Sequence, residues 1–365
     1  MKHIIGKVLV VLGVMLAVTA CSMDKGTKEY NQGVAALKSG DYQKAYELIG
    51  KAISKNTEEP LYYINYGTAL VQLARYDEAV SSYQKAISTG VEQENLENNK
   101  RAYRGLGIAC YYQKKYDESE KYLKKALEIS ELPDLNMDAY LYLGAVQEMK
   151  NDMQNAMVTY GSALSLDNTK ISAYAGKYKA ETALGMYDEA EDTLRAGLRQ
   201  EPKTVEDKYM YARLQFYNKE YEDSVAAFEE AKETYVESYL YLGQIYMQQD
   251  EYDKAIESFS SYTDNGGSMD NLVLCKQFAK CYMKQEKYKK AVTWLDSGAE
   301  LDAPDAQLQD LRYDQITAYE KLEDTKKALK LAKKYADIYT NDDRFANKVE
   351  ELEKASVGLT DSTVQ

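Results

Sequence analysis

A short pattern that recurs along the chain constrains its fold more than any other feature. The pattern reads Tyr, an acidic or polar residue, any residue, then Ala or Ser, as in RYDEA at 75–79, MYDEA at 186–190 and EYDKA at 251–255. Its final small residue falls at positions 45, 79, 119, 156, 190, 224, 255, 291 and 328. Successive copies are therefore 31 to 40 residues apart, often 34. A period of this length indicates one supersecondary unit stacked many times, because such a unit is too short to bury a core alone.

Each copy is preceded by a second small residue. Twelve residues before the final Ala or Ser stands a Gly or Ala, with Tyr178 and Ile316 as the exceptions; the small residues are Gly33, Gly67, Gly107, Gly144, Ala212, Gly243 and Ala279. Small side chains allow two helices to approach closely where they cross. The four Pro residues fall between units, where Pro starts a helix without losing a hydrogen bond. We therefore expect an all-α protein of paired antiparallel helices.

Residues 62–87, YYINYGTALVQLARYDEAVSSYQKAI, closely resemble the tetratricopeptide (TPR) repeat. The resemblance implies a right-handed superhelical TPR solenoid of about nine helix-turn-helix repeats over residues 29–339. It also implies a C-terminal capping helix, assigned to residues 340–354, because the last repeat of a solenoid must cover its apolar face. We expect the tail, residues 355–365, to be disordered.

The N-terminus reads as a targeting segment. Residues 1–20 have a basic start, an apolar stretch and small residues before Cys21, which is typical of a secretory signal peptide. Val18–Cys21 resembles the lipobox of bacterial lipoproteins, a family in which the Cys is acylated and becomes the first mature residue. The resemblance implies lipidation at Cys21, a tether over residues 21–28, and a position on the extracytoplasmic side of the cell membrane. The alternative is an uncleaved anchor or a plain signal peptide.

The first helix of each TPR unit lines a concave groove, and its second, fifth, ninth and twelfth positions point inward. Carried over to this sequence, the resemblance implies a partner-binding groove that includes Tyr30, Arg104, Tyr111, Lys179, Tyr209, Arg213, Phe216, Met247, Lys276, Lys280, Met283 and Tyr313. Basic side chains among aromatic residues and Met favour a protein or peptide partner with an acidic and apolar segment. No acidic residue occupies a fifth or ninth position.

Composition argues against several classes of function. The one histidine, His3, lies in the signal segment, so the mature chain has no imidazole for nucleophile activation or for the usual zinc sites. A mature net charge of −15 repels nucleic acid. The Ser-x-x-Lys tetrads at 22–25 and 82–85 lack a following Lys-Thr-Gly. We expect no enzyme activity and no cofactor or metal.

The remaining cysteines and the tyrosines have packing explanations. Cys110, Cys275 and Cys281 are expected to be unpaired, small apolar residues inside helix interfaces. The tyrosines of the recurring pattern are likewise expected to pack between helices; they are Tyr42, Tyr76, Tyr116, Tyr187, Tyr221, Tyr252 and Tyr288. The leading hypothesis is a membrane-anchored scaffold in envelope assembly or in the regulation of wall enzymes. The alternative is a glycan-binding surface lipoprotein that uses the aromatic residues of the groove.

Overall fold

The computed structural model describes residues 26–89, 95–268 and 271–361, and within these ranges the regular secondary structure is entirely helical. The helices are α1 Thr27–Lys38, α2 Tyr42–Lys55, α3 Pro60–Gln72, α4 Tyr76–Thr89, α5 Leu96–Tyr112, α6 Tyr116–Glu128, α7 Asn136–Met149, α8 Met153–Leu166, α9 Ile171–Ala183, α10 Tyr187–Leu198, α11 Val205–Tyr217, α12 Tyr221–Ala231, α13 Ser238–Gln248, α14 Tyr252–Asp264, α15 Leu272–Lys284, α16 Tyr288–Ala299, α17 Asp305–Lys321, α18 Thr325–Ala336 and α19 Asp343–Asp361. A short 3₁₀ helix, Pro133–Leu135, precedes α7. The predicted all-α repeat fold is confirmed. The signal segment and Cys21 lie outside the described residues.

A repeated turn joins the first and second helix of each pair. Two residues before each second helix begins, the backbone is left-handed: φ is +77° at Gly40 and +58° at Ala74. In the turn after α3, the N–H of Arg75 donates to the carbonyl of Leu70 at 2.9 Å, a bond that closes a helix C-terminus when the residue before it is left-handed. The recurring Tyr then starts the next helix, as at Tyr76. The sequence pattern therefore marks this turn.

The small residue that ends each pattern is buried where the paired helices meet. Ala45, Ala79 and Ala156 are fully buried in the N-terminal unit, which ends at Ser224. Ala255 and Ala328 are fully buried in the C-terminal unit, which starts at Val225. In the N-terminal unit each first helix also contacts the first helix of the next pair, as α3 does α5 and α7 does α9. The first helices of this unit thus form a continuous row.

The glycines twelve residues before the anchor face a large side chain. A Cβ at Gly33 would lie 2.5 Å from Ile49, and one at Gly107 would lie 2.5 Å from Leu123, both closer than packed carbons come. In the last pair the large residue, Ile316, is on the first helix and the small one, Ala332, is on the second. Both are fully buried in one core. The exception at Ile316 is therefore compensated by a small partner.

The C-terminal helix α19 packs against the last helix pair. Phe345 is fully buried, with its ring centroid 4.9 Å from that of Tyr339, 5.6 Å from that of Tyr313 and 6.4 Å from that of Tyr335. The helix runs from Asp343 to Asp361, past the end expected at residue 354. Residues 355–361 continue this helix. The last four residues lie outside the described part.

Two further features of the fold are the burial of the cysteines and the length and polarity of the helices. Cys110, Cys275 and Cys281 are buried among the helices, as predicted. Within the described ranges, every helix is too short or too polar to cross a bilayer.

Candidate partner-binding groove

Tyr30, at the N-terminal end of the first-helix row, is held by the next helix pair. Its hydroxyl accepts a hydrogen bond from the Asn65 side chain at 2.6 Å, and its ring stacks on Tyr62 with centroids 4.5 Å apart. Burial raises the pKa of Tyr30 to about 12, so the hydroxyl stays neutral. Tyr30 therefore contributes a fixed hydroxyl and part of a ring edge rather than a mobile aromatic side chain.

Two of the predicted groove cations are neutralised by the neighbouring helix pair. The buried Arg104 on α5 forms an ion pair with Asp138 on α7. Lys179 on α9 forms one with Glu148 on α7, at 2.5 Å. Asp138 occupies a second position of its helix, and Glu148 occupies a twelfth position. Neither acid is found when only the fifth and ninth positions are compared. The basic charge of Arg104 and of Lys179 is therefore balanced, because each cation meets an acid one repeat away.

Tyr111 lies in a cluster of tyrosines at the end of α5. Its ring centroid is 5.4 Å from that of Tyr112 and 5.6 Å from that of Tyr142, both edge-to-face, and 6.3 Å from that of Tyr116. The hydroxyls of Tyr112 and Tyr142 are 3.1 Å apart. Burial raises the pKa of Tyr142 well above its usual value. The cluster packs aromatic rings of neighbouring first helices together, and the buried Tyr142 hydroxyl stays protonated.

Three predicted residues share α11. Tyr209 is buried, and the guanidinium of Arg213 lies 5.9 Å from its ring centroid. Arg213 also donates to the hydroxyl of Tyr217 at 3.3 Å. Phe216 packs edge-on against Tyr217, with centroids 5.8 Å apart. Arg213 is thus held among aromatic rings, and the structure brings this predicted group together.

The predicted residues of the C-terminal unit differ in accessibility. Met247 is buried with Phe259 and Phe278, and Met283 is half-buried against a neighbouring core, so both contribute to packing. Lys276 donates to the carbonyl of Gln307 at 2.6 Å.

Lys280, one turn further along α15, is exposed and forms no ion pair within the described residues. The Arg344 guanidinium lies 5.1 Å from the ring centroid of Tyr313, and it pairs with Asp310 at 3.0 Å. Burial, reinforced by Asp310, raises the pKa of Asp314, while Lys276, Arg344 and Lys280 oppose that shift. Acids therefore accompany the cations here too, and Lys280 is the cation best placed to meet a partner.

Two groove side chains come from second helices, and the sequence analysis missed them. The ring of Tyr83 on α4 passes between Gly67 and Gly105, and its hydroxyl is 3.2 Å from that of Thr68 at a ninth position. Burial raises the pKa of Tyr83 to about 12.

Tyr160 on α8 passes between Gly144 and Gly176 in the same way, and its hydroxyl donates to Glu148 at 2.6 Å. The signal that marks both sites is a glycine at the sixth position of the following first helix, which leaves room for the ring.

The tyrosine of the recurring pattern is exposed in one repeat. Tyr76 stacks on Tyr112 of the next first helix at 5.2 Å. For Tyr187, the ring that corresponds to Tyr112 is Tyr217 of the next first helix. Tyr217 instead stacks on Tyr178, with centroids 5.0 Å apart, and Tyr178 occupies the position where most other repeats carry a small residue. Tyr187 therefore lacks this partner and is 70% exposed, so the expectation that it packs between helices is wrong.

The described residues contain no group of three or more potential metal ligands. The row of first helices presents hydroxyls, aromatic edges and paired charges, which are suited to reversible contact with a polypeptide.

Comparisons with known proteins agree with the geometry. Family models described as tetratricopeptide repeat match residues 56–132 and 179–235, and a model for subunit 3 of the anaphase-promoting complex, cyclosome, matches residues 230–298. The chain is 28% identical over 183 residues to a TPR repeat-containing protein of Methanocaldococcus jannaschii, a match covering 48% of this chain and 31% of that protein.

A second relative, the small glutamine-rich tetratricopeptide repeat-containing protein 2 of Saccharomyces cerevisiae, is 30% identical over 138 residues, covering 38% of this chain and 35% of that protein. The chain thus spans about a third of the length of these two relatives. A solved structure of pilF from Pseudomonas aeruginosa is 16% identical, with a TM-score of 0.46 over 57% of this chain and 91% of that one.

Proposed function

Because this chain contains tetratricopeptide repeats, which generally act as protein-interaction scaffolds, we propose that it binds a protein or peptide partner along its row of first helices. We propose further that it is anchored through Cys21 on the extracytoplasmic side of a cell membrane and acts in envelope assembly or in the regulation of wall enzymes. The signal-like residues 1–20 and the lipobox resemblance support the anchor. Two or more acyl chains would hold the protein stably.

One observation carries the binding proposal: side chains from successive first helices meet across the repeats. Arg104 contacts Asp138, and Lys179 contacts Glu148, with each pair joining neighbouring first helices. The groove-facing positions therefore form one surface in the N-terminal unit, not a set of separate helix faces. An extended or helical segment that lies across this row contacts several repeats at once, which is how a long groove gains affinity and register.

The chemistry of the partner follows from which charges are already paired. Arg104 and Lys179 have acidic partners, so the surface around them offers hydrogen bonds and aromatic edges more than net charge. Lys280 is exposed without an ion pair in the described chain. We propose that a partner segment bound to the C-terminal unit places an acidic residue against Lys280, and that a segment bound to the N-terminal unit places apolar residues against its tyrosine clusters.

Catalysis is not part of this proposal. Burial raises the pKa of Cys110 to about 11 and that of Cys281 to about 12, which keeps these thiols protonated and poorly nucleophilic. The repeats to which the chain is similar generally serve as scaffolds.

Crosslinking on intact bacterial cells tests the proposal in two separable steps. Replacing Cys21 by Ser is expected to move the protein from the membrane fraction to the soluble extracytoplasmic fraction. Recovery of a crosslinked envelope protein, identified by mass spectrometry, is expected to fall for Lys280→Glu. Lys289→Glu is the matched control, because it makes the same charge change at an exposed position on the second helix of the same pair, α16.

The two steps fail independently. Unchanged fractionation of the Cys21→Ser protein would refute the lipid anchor. Equal recovery of the partner with Lys280→Glu and Lys289→Glu would refute the role of Lys280. Failure to capture any protein reproducibly would refute the scaffold.

A further inference from the structure

A pocket lies in the first two repeats between α2, α3 and α4, away from the inward positions of the first helices. Its volume is about 480 Å³, which is within the range of small-ligand sites. Gly50 forms part of the floor, the rings of Tyr63 and Tyr66 form a wall, and polar residues of α4 from Asp77 to Lys85 form the rim. None of these residues occupies an inward position of a first helix, so the pocket is separate from the groove.

The pocket exists because Gly50 has no side chain. Position 50 is the fifth residue after the anchor Ala45, and the corresponding residues of the next two repeats are the longer Gln84 and Lys124. A Cβ at Gly50 would lie 3.3 Å from the ring of Tyr66. Any longer side chain would therefore project into the space in front of the two rings.

The charges at the rim are already balanced. Asp77 accepts a hydrogen bond from Gln113 at 2.7 Å, and Glu78 is held by two contacts from Arg75, at 2.7 and 2.5 Å. Lys85 adds a positive charge at the opposite end of the rim. A cationic ligand would compete with Arg75 and Gln113, and an anionic ligand would face two carboxylates. This balance favours a neutral ligand.

One face of the Tyr66 ring is covered by Tyr46, which stacks on it with centroids 5.0 Å apart. The groups left open to a ligand are therefore the remaining ring surfaces and oxygen lone pairs. The hydroxyl of Tyr63 donates to the carbonyl of Thr57 at 3.3 Å, so the ring and not the hydroxyl is presented. Ser81 donates to the carbonyl of Asp77 at 3.0 Å, and Ser82 to that of Tyr63 at 2.7 Å. With their protons used, both serine oxygens can accept hydrogen bonds.

We propose that this pocket binds a neutral sugar unit of a glycan. A pyranose has an apolar C–H face that packs on an aromatic ring, and its hydroxyls supply the donors that the serine oxygens and Asp77 can accept. The Lys85 ammonium supplies a donor for a ring or hydroxyl oxygen. The pocket therefore gives the protein a saccharide site that is independent of its protein-binding groove.

Isothermal titration calorimetry with the purified full chain tests the site, using maltohexaose, cellohexaose and chitohexaose as probes and arginine methyl ester as the cationic comparison. Gly50→Gln fills the pocket and favours the helix, since Gly is a poor helix former. We expect one of the oligosaccharides to bind the wild type and Gly50→Gln to weaken that binding at least about tenfold. Gly161→Gln is the matched control, because it occupies the same repeat position with nothing within 4 Å of its Cβ.

Each outcome decides the proposal. Binding of an oligosaccharide that Gly161→Gln retains and Gly50→Gln loses supports it. Binding by none of the three oligosaccharides, equal binding by the two variants, or tighter binding of arginine methyl ester overturns it. Should Gly50→Gln fail to fold by circular dichroism, Ser81→Gln fills the pocket from α4 and is expected to give the same loss.

Discussion

Replacing Gly105 by Ala adds one methyl group where Tyr83 passes between two first helices. An ideal Cβ at position 105 would lie 2.4 Å from Cζ of Tyr83, whereas packed carbons sit about 3.5 to 4.0 Å apart. The ring cannot retreat, because on its other side a Cβ at Gly67 would already be 2.9 Å away. The added methyl group must therefore displace a helix or force the Tyr83 side chain out of its rotamer.

Two opposing terms set the size of the effect. In a helix interior, Ala is favoured over Gly by about 1 kcal/mol. Overpacking a tight core costs about 1–3 kcal/mol, and this site is tight on both sides of the ring. We expect Gly105→Ala to lower the free energy of unfolding by up to about 2 kcal/mol. Gly161→Ala, where a Cβ meets nothing within 4 Å, should instead raise it by about 1 kcal/mol.

Urea denaturation followed by far-ultraviolet circular dichroism at 25 °C measures both variants against the wild type. The penalty of Gly105→Ala should shrink in a Tyr83→Leu background, because the obstructing ring is gone and the two substitutions are coupled. A Gly105→Ala protein as stable as the Gly161→Ala protein would refute the packing argument. So would a penalty that is unchanged when Tyr83 is replaced.

Three further predictions follow from burial. Cys110 and Cys281 should resist labelling by a thiol reagent at pH 8 until urea unfolds the chain, which peptide mapping will show. Folding raises the pKa of Cys110 to about 11 and that of Cys281 to about 12. The free energy of unfolding should therefore fall as the pH rises above about 8.5, the pKa of a thiol in the unfolded chain. Labelling in the native state would contradict this. Phe345→Ala should cost about 3–5 kcal/mol and speed hydrogen exchange in α19, since the ring is fully buried; exchange at the wild-type rate would show that α19 is not held by this residue. Tyr187→Ala should change the free energy of unfolding by less than about 0.5 kcal/mol, whereas Tyr76→Ala should lower it by about 1–3 kcal/mol. Equal thermal melting temperatures of the two variants would contradict this prediction.

The candidate groove shows which features a repeat pattern can predict and which it cannot. The pattern places Arg104 on α5 and Lys179 on α9, two first helices that both contact α7. It does not show that Asp138 and Glu148 meet them, because each contact joins residues about one repeat apart and depends on the offset between stacked pairs. Charges on adjacent repeats must be considered together before a groove is assigned a sign.

The sequence by itself determined the helix pairs and their turns, because these depend on contacts within about 34 residues. Small residues such as Gly33 and Ala45 must lie at helix crossings, and the recurring Tyr must start a second helix. The tertiary structure alone decided the path of Tyr83 between two glycines, the exposure of Tyr187 and the pocket at Gly50. Each of these arises where neighbouring repeats stack. At such junctions a side chain meets residues of another unit, and their combined volume, rather than any local period, fixes where it goes.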